Sequence, residues 1–156
     1  RGYVNTLKEN KSRMIQKLSH FLEINHELEK TVGSIDLFYG HNDLLSGNFI
    51  EDINRLWLVD WDYAGFNSPL FDLANLASNN EYAESLEREL LEMYFQNEVS
   101  DDLWKRYFAM KCASLLRESM WSMVSEIYSI LDFDYVQYTA ENLERFENTF
   151  AEFRNI

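Results

Sequence analysis

All five glycines and the only proline, Pro69, lie within the first 69 of the chain's 156 residues. Tight turns and irregular backbone must therefore be concentrated there, and the remainder is left to helix formers. The segment "SPLFDLANLAS" begins this second part with an N-cap serine, Ser68, and a first-turn proline. Helices are predicted to follow over about residues 81–97, 101–131 and 134–153, with Ser100 capping the second of these.

The first part is mixed. Leu7, Met14, Ile15, Leu18, Phe21, Leu22 and Leu28 recur at mostly three- and four-residue steps. They predict a helical face from about residue 3 to 30, broken near Asn25 and ended by Gly33 and Ser34. "IDLFY" then reads as a short strand, and "NFIE" and "RLWLVDW", joined by "DIN", read as a hairpin. The fold class that follows is α+β, mostly α, with a small β-hairpin insert on a helical body. Repeats, low-complexity tracts and linkers are absent from the sequence.

Between strand and hairpin runs "YGHNDLLSGNF", residues 39–49. Gly40, Asn42, Asp43, Ser46, Gly47 and Asn48 favour turns, so residues capable of chemistry sit on a loop. The full pattern is His41-x-Asp43-x-x-x-x-Asn48, then the hairpin, then Asp60-Trp61-Asp62. Magnesium takes hard oxygen ligands, often only one or two from protein and the rest from phosphates and water. Asn48 and Asp60 can supply such oxygens, leaving Asp43 to accept a hydrogen bond from an incoming hydroxyl. That division of labour suits phosphoryl transfer, in which the protein mostly positions groups and neutralises charge. A carboxylate cannot ionise an alcohol in advance, so Asp43 would orient the hydroxyl and take its proton late. The plainer readings are that Asp43 is a turn former and His41 a structural histidine.

"HNDLLSGN" followed by "LVDWDYAG" resembles the catalytic loop and metal-binding segment of choline and aminoglycoside kinases, a branch of the protein-kinase-like fold. The nearer likeness is to choline/ethanolamine kinases and extends through "FNSPLFDLANLASNN", more weakly to "MWSMVSEI". It implies a kinase-like C-terminal lobe that uses ATP and Mg2+ to phosphorylate a small cationic alcohol, choline first, with ethanolamine, thiamine or an aminoglycoside as alternatives. Carried across by position, Asp43 matches the catalytic base, Asn48 and Asp60 the magnesium ligands, and His41 the residue that braces the loop. Asp62 falls where choline kinases usually have Glu and would be a further metal ligand. Asp72 matches a helix carboxylate that holds the loop's backbone.

The resemblance also implies an aromatic acceptor site. Tyr63 and Trp121 match positions that cage a quaternary ammonium, and Tyr128 shares a helical stripe with Trp121. Tyr82 could join them from the neighbouring helix. Aromatics at helical spacing also serve simply as core. Glu118 stands where animal choline kinases carry a second Trp, an exchange that turns an aromatic wall into a carboxylate and favours a smaller, hydrogen-bonding ammonium. No Gly-rich phosphate loop and no strand lysine precede residue 41, which is the N-terminal lobe's equipment in such enzymes. The 156 residues alone are therefore expected to have negligible turnover, and the initial Arg1 fits a piece of a longer polypeptide.

Charge and cysteine content agree with this reading. Fourteen basic against 27 acidic residues give a formal net charge of -13, which disfavours nucleic acid and anionic membranes and welcomes a cation. A lone Cys112 allows no internal disulfide and no thiolate metal cluster, as expected for a cytoplasmic protein. No apolar run approaches the roughly 18–20 residues that cross a bilayer.

Overall fold

The computed structural model describes residues 2–156. Among these residues six α-helices and four short strands, besides two single-turn 3-10 helices, follow in the order α1 (Gly2–Glu9), α2 (Leu18–Val32), β1 (Phe38–Gly40), β2 (Phe49–Glu51), β3 (Leu56–Leu58), β4 (Gly65–Asn67), α3 (Pro69–Asn79), α4 (Glu84–Phe95), α5 (Asp101–Tyr128) and α6 (Tyr135–Phe153). They pack as two units, Arg1–Thr31 with Cys112–Ile156, and Val32–Lys111. Among the described residues no helix is long and apolar enough to cross a membrane.

In the first unit, the predicted helix over residues 3–30 is interrupted, but not at Asn25. Helix α2 runs unbroken through that position, burying Ile24 and Leu28. The break falls at residues 10–17, where Lys11 adopts φ 50°. The Ser12 amide donates to the Leu7 carbonyl at 2.9 Å and the Lys11 amide to that of Lys8 at 3.2 Å, which closes α1 with a Schellman-type cap. Apolar residues on either side still face the core: Val4, Leu7, Met14, Leu18 and Phe21 are all buried. Phe21 meets Phe146 of α6 edge-on at 6.4 Å, and Phe146 stacks on Phe150 at 5.8 Å, favourable geometries that add to the burial of the rings.

An ion pair of Arg13 with Glu126, 2.7 Å from Nε to Oε2, ties the interrupted segment to α5. Burial raises the Glu126 pKa, but hydrogen bonds and the charge of Arg13 outweigh it and hold the carboxyl below the usual carboxylate range. A depressed carboxylate contributes stability that is present above its unfolded pKa and lost as pH falls through the folded one. The urea midpoint of the chain should therefore drop between about pH 5 and pH 3, and less steeply in Glu126→Gln. Equal slopes in the two proteins would remove this pair from the account.

In the second unit, the hairpin is present as expected. Strand β2 pairs antiparallel with β3, Ile50 opposite Trp57. Its turn is held by Asp52, which accepts from the amides of Asn54 (2.7 Å) and Arg55 (3.1 Å) and from the Trp57 indole (2.8 Å). The strand expected in "IDLFY" is present as β1, and its partner β4 was not foreseen: the two pair antiparallel, setting Tyr39 opposite Phe66 and Gly40 opposite Gly65. Ser68 caps α3, its hydroxyl accepting from the Leu70 amide, and the Ser100 hydroxyl accepts from the Leu103 amide at the start of α5. Helices α4 and α5 are joined by a buried Lys111–Glu87 pair and by Arg88, whose guanidinium lies 4.0 Å from the Trp104 ring centroid.

Candidate active site

The loop after β1 is fixed from beneath by α3. Both oxygens of Asp72 accept backbone hydrogen bonds at 2.7 Å, Oδ2 from His41 and Oδ1 from Asn42. One turn along, Asn75 Oδ1 accepts from the Leu44 amide. Residues three apart lie on one helix face, so α3 grips the backbone on both sides of Asp43. Asn42, at φ 63°, sits in the left-handed region that Asn tolerates. Its side chain donates to the carbonyls of Tyr63 and Gly65, both at 3.2 Å, and accepts from Asn67 at 2.9 Å, linking the loop to β4.

Gly40 is required by this packing. A Cβ there would lie 2.6 Å from Asp72 Oδ2, and the carboxylate cannot retreat without giving up its bonds to the loop. Gly40→Ala should cost about 1–3 kcal/mol in urea unfolding, the usual range for overpacking. A change under a few tenths of a kcal/mol would mean that Asp72 is free to move.

His41 is buried, 2% exposed. Its Nε2 lies 2.9 Å from the Val59 carbonyl, and since a carbonyl only accepts, Nε2 carries the proton. The ring meets Trp61 edge-on at 4.8 Å. This histidine braces the loop against the end of β3. Asn48 does the same from the other side: its carbonyl accepts from the Val59 amide at 2.9 Å, while its Nδ2 donates to the Asp43 carbonyl at 3.0 Å. Asp43 and Asn48 are thus joined directly, and Asp60 follows the residue that His41 and Asn48 both hold. Asp60 itself takes φ 61°, a strained position of the kind that persists where the surroundings over-determine it.

The oxygen chemistry suits a hard divalent cation. Asn48 has its amide nitrogen engaged by Asp43, which leaves the amide oxygen for other work. The carboxylates of Asp60 and Asp62 have no hydrogen-bond or ion-pair partner among the described residues. Among the described residues no group of three or more His, Cys, Asp or Glu side chains is placed to hold a metal ion.

The aromatic candidates divide between the units. Tyr63 is 47% exposed and follows the Asp60–Asp62 segment. Tyr82 is not on a helix, contrary to expectation; it lies in the α3–α4 connection, where its amide donates to the Ala77 carbonyl at 3.0 Å. In the other unit, Trp121 packs edge-on against Tyr135 (6.1 Å) and Tyr138 (6.5 Å). Tyr128 is exposed and its hydroxyl accepts from Asn10 at 2.8 Å. Sequence reasoning missed Tyr135 and Tyr138. The Tyr138 hydroxyl donates to Glu118 at 2.9 Å, and burial together with the nearby Glu118 charge pushes the phenol pKa up. The only signal for Tyr138 was its place on the apolar side of α6.

A helix-gripped loop carrying Asp43 and Asn48, braced against a hairpin that leads into Asp60, is the arrangement of a kinase-like fold. The solved choline/ethanolamine kinase family protein of Mesorhizobium loti superposes with a TM-score of 0.84 at 22% identity, over 95% of this chain and 51% of that one. The sequence model of the choline/ethanolamine kinase family matches residues 3–98, and the chain belongs to that family. Among curated relatives it is 33% identical over 92 residues to Protein LicA of Haemophilus influenzae, covering 57% of this chain and 27% of that protein. It is 30% identical over 158 aligned positions to the probable ethanolamine kinase A of Dictyostelium discoideum, covering 86% and 45%. The chain therefore spans less than half the length of these two relatives.

Proposed function

We propose that this chain is the C-terminal, catalytic and acceptor-binding lobe of a kinase that transfers the γ-phosphoryl group of ATP to the hydroxyl of a small amino alcohol. The observation that carries this reading is the bonded set of Asp43, Asn48 and the segment leading into Asp60, all held on one loop and hairpin. Membership of a kinase family supports ATP as the co-substrate.

Asp43 is the base. It orients the acceptor hydroxyl and takes its proton as the new P–O bond forms, since a carboxylate is too weak a base to ionise an alcohol beforehand. Asn48 and Asp60 would hold magnesium, with Asp62 as an accessory ligand; the ion would mask phosphate charge. Asn48 also holds the Asp43 carbonyl, so one side chain fixes the base's backbone and offers an oxygen to the metal. Nucleotide binding is assigned in the same way to the surroundings of Asp43, Asn48 and Asp60.

Tyr63, Tyr82, Trp121 and Tyr128 are proposed to contribute to acceptor recognition, through the attraction of an ammonium to aromatic faces. Choline is the favoured acceptor on that ground. The Glu118–Tyr138 bond favours ethanolamine as the second reading, because a primary ammonium can donate to a carboxylate and a quaternary one cannot.

A panel of choline, ethanolamine, thiamine and an aminoglycoside, run on the full-length protein with ATP and Mg2+, tests the acceptor. The expected result is phosphorylation of an amino alcohol at a kcat/KM at least tenfold above the other two classes. Preference for thiamine or the aminoglycoside would overturn the acceptor assignment. Asp60→Ala in the same protein should abolish the magnesium-dependent rise in rate, and an unchanged metal titration would remove Asp60 from the site.

A further inference from the structure

Away from the loop, the second unit contains a cavity of about 400 Å3 lined by residues that include Ile35, Phe38, Leu70, Tyr94, Phe95 and Arg106. A neighbouring one of about 230 Å3 shares Phe38, Ser68, Pro69 and Tyr94 with it. Neither is lined by Asp43, Asn48 or Asp60. The larger falls in the size range of small-molecule sites and has their composition: an apolar, aromatic lining with few polar groups.

Arg106 gives the cavity its chemistry. Its Nε donates to the Val32 carbonyl at 2.9 Å and Nη2 to the Ser34 carbonyl at 2.8 Å, so the guanidinium is held in place before any ligand arrives. Nη1 has no hydrogen-bond partner among the described residues. Its nearest acid is Asp102 at 4.0 Å, too long for a hydrogen bond and on a side chain that is 83% exposed. A fixed guanidinium with N–H groups to spare binds carboxylate well, because little side-chain freedom remains to be lost. The aromatic residues Phe38, Tyr94 and Phe95 suit a flat ring. Asp36 also lines the cavity and is the one carboxylate in its lining among the described residues, the group there that would anchor a cation.

We propose that this cavity binds a small aromatic carboxylate, its acid group held by Arg106 and its ring by Phe38, Tyr94 and Phe95.

The test is a fluorescence titration of the chain with 2-naphthoate, alongside neutral 2-naphthalenemethanol and cationic 2-naphthylmethylammonium, which share the same ring system. The expected result is saturable one-site binding of 2-naphthoate, at least tenfold tighter than either control. Leu103→Trp, which puts bulk at the cavity lining, should weaken the acid and the alcohol alike by tenfold or more with an unchanged circular dichroism spectrum. Arg106→Met should bring the acid down to the affinity of the alcohol. Should Arg106→Met fail to fold, the wild-type charge series and Leu103→Trp decide alone. Equal affinity for acid and alcohol, binding indifferent to Leu103→Trp, or tighter ammonium binding that Leu103→Trp removes would each overturn the proposal, the last in favour of Asp36 as the anchor.

Discussion

In the full-length protein, Asp43→Asn lowers phosphoryl transfer by about 10²–10⁴-fold, the contribution of a positioned general base, while nucleotide affinity changes little. The substitution is nearly isosteric. It keeps the loop's backbone, which is bonded through Asp72, Asn75 and Asn48, none of which depends on the Asp43 carboxylate. What it removes is the proton acceptor, since an amide cannot take the hydroxyl proton as the bond to phosphorus forms. The loss should therefore appear in kcat, with the KM for ATP within a few-fold of wild type. Steady-state kinetics with the preferred acceptor checks this, and turnover within tenfold of wild type would mean that another group takes the proton.

Asp72→Ala has an effect of comparable size by a different route. Two charge-assisted bonds to the His41 and Asn42 amides are lost, each worth roughly 1.5–3 kcal/mol when charged groups are involved. Because Asp72 is only half-buried, water can partly replace it, and a total of about 2–4 kcal/mol is expected in urea unfolding. Activity in the full-length protein should fall by at least about 10²-fold, because a catalytic group displaced by an ångström loses that much. Asp72→Asn should recover part of the stability but not all of it: its amide oxygen can accept one bond, and its nitrogen cannot accept the other. Stability and activity of Asp72→Ala both near wild type would show that the loop holds itself in place without α3.

The Asp72 result also marks how far the sequence could be read. Its role was available only through resemblance; nothing local distinguishes a helix-capping Asp from one that reaches back some thirty residues to a loop. The helices were legible because their signals are local: Ser68–Pro69 opens α3, and Ser100 opens α5 through its bond to Leu103. The break in the N-terminal helical region was misplaced for a physical reason. Lys11 occupies the left-handed position that usually goes to glycine, and the apolar spacing from Leu7 to Met14 and Leu18 continues across the gap, so periodicity alone reports one face. Strand β4 escaped notice because "GFN" has a single apolar side chain and becomes a strand only through pairing with β1, which lies a whole hairpin earlier.

The site shows the same division. The sequence grouped Asp43, Asn48 and Asp60 by spacing, but the means of holding them is tertiary: Val59 is bonded on one side by His41 and on the other by Asn48. Tyr138 and Glu118 meet only because α5 and α6 pack together, and Tyr82 moved off its expected helix because α4 starts at Glu84.

The most direct measurement is paramagnetic broadening by manganese in the ATP-bound full-length protein, with manganese standing in for magnesium. Backbone resonances of Asn48 and Asp60 should broaden first and that of Asp43 next, and Asp60→Ala should abolish the effect. Broadening centred on other residues, with these three left sharp, would contradict a metal seated on this loop and the phosphoryl transfer built upon it.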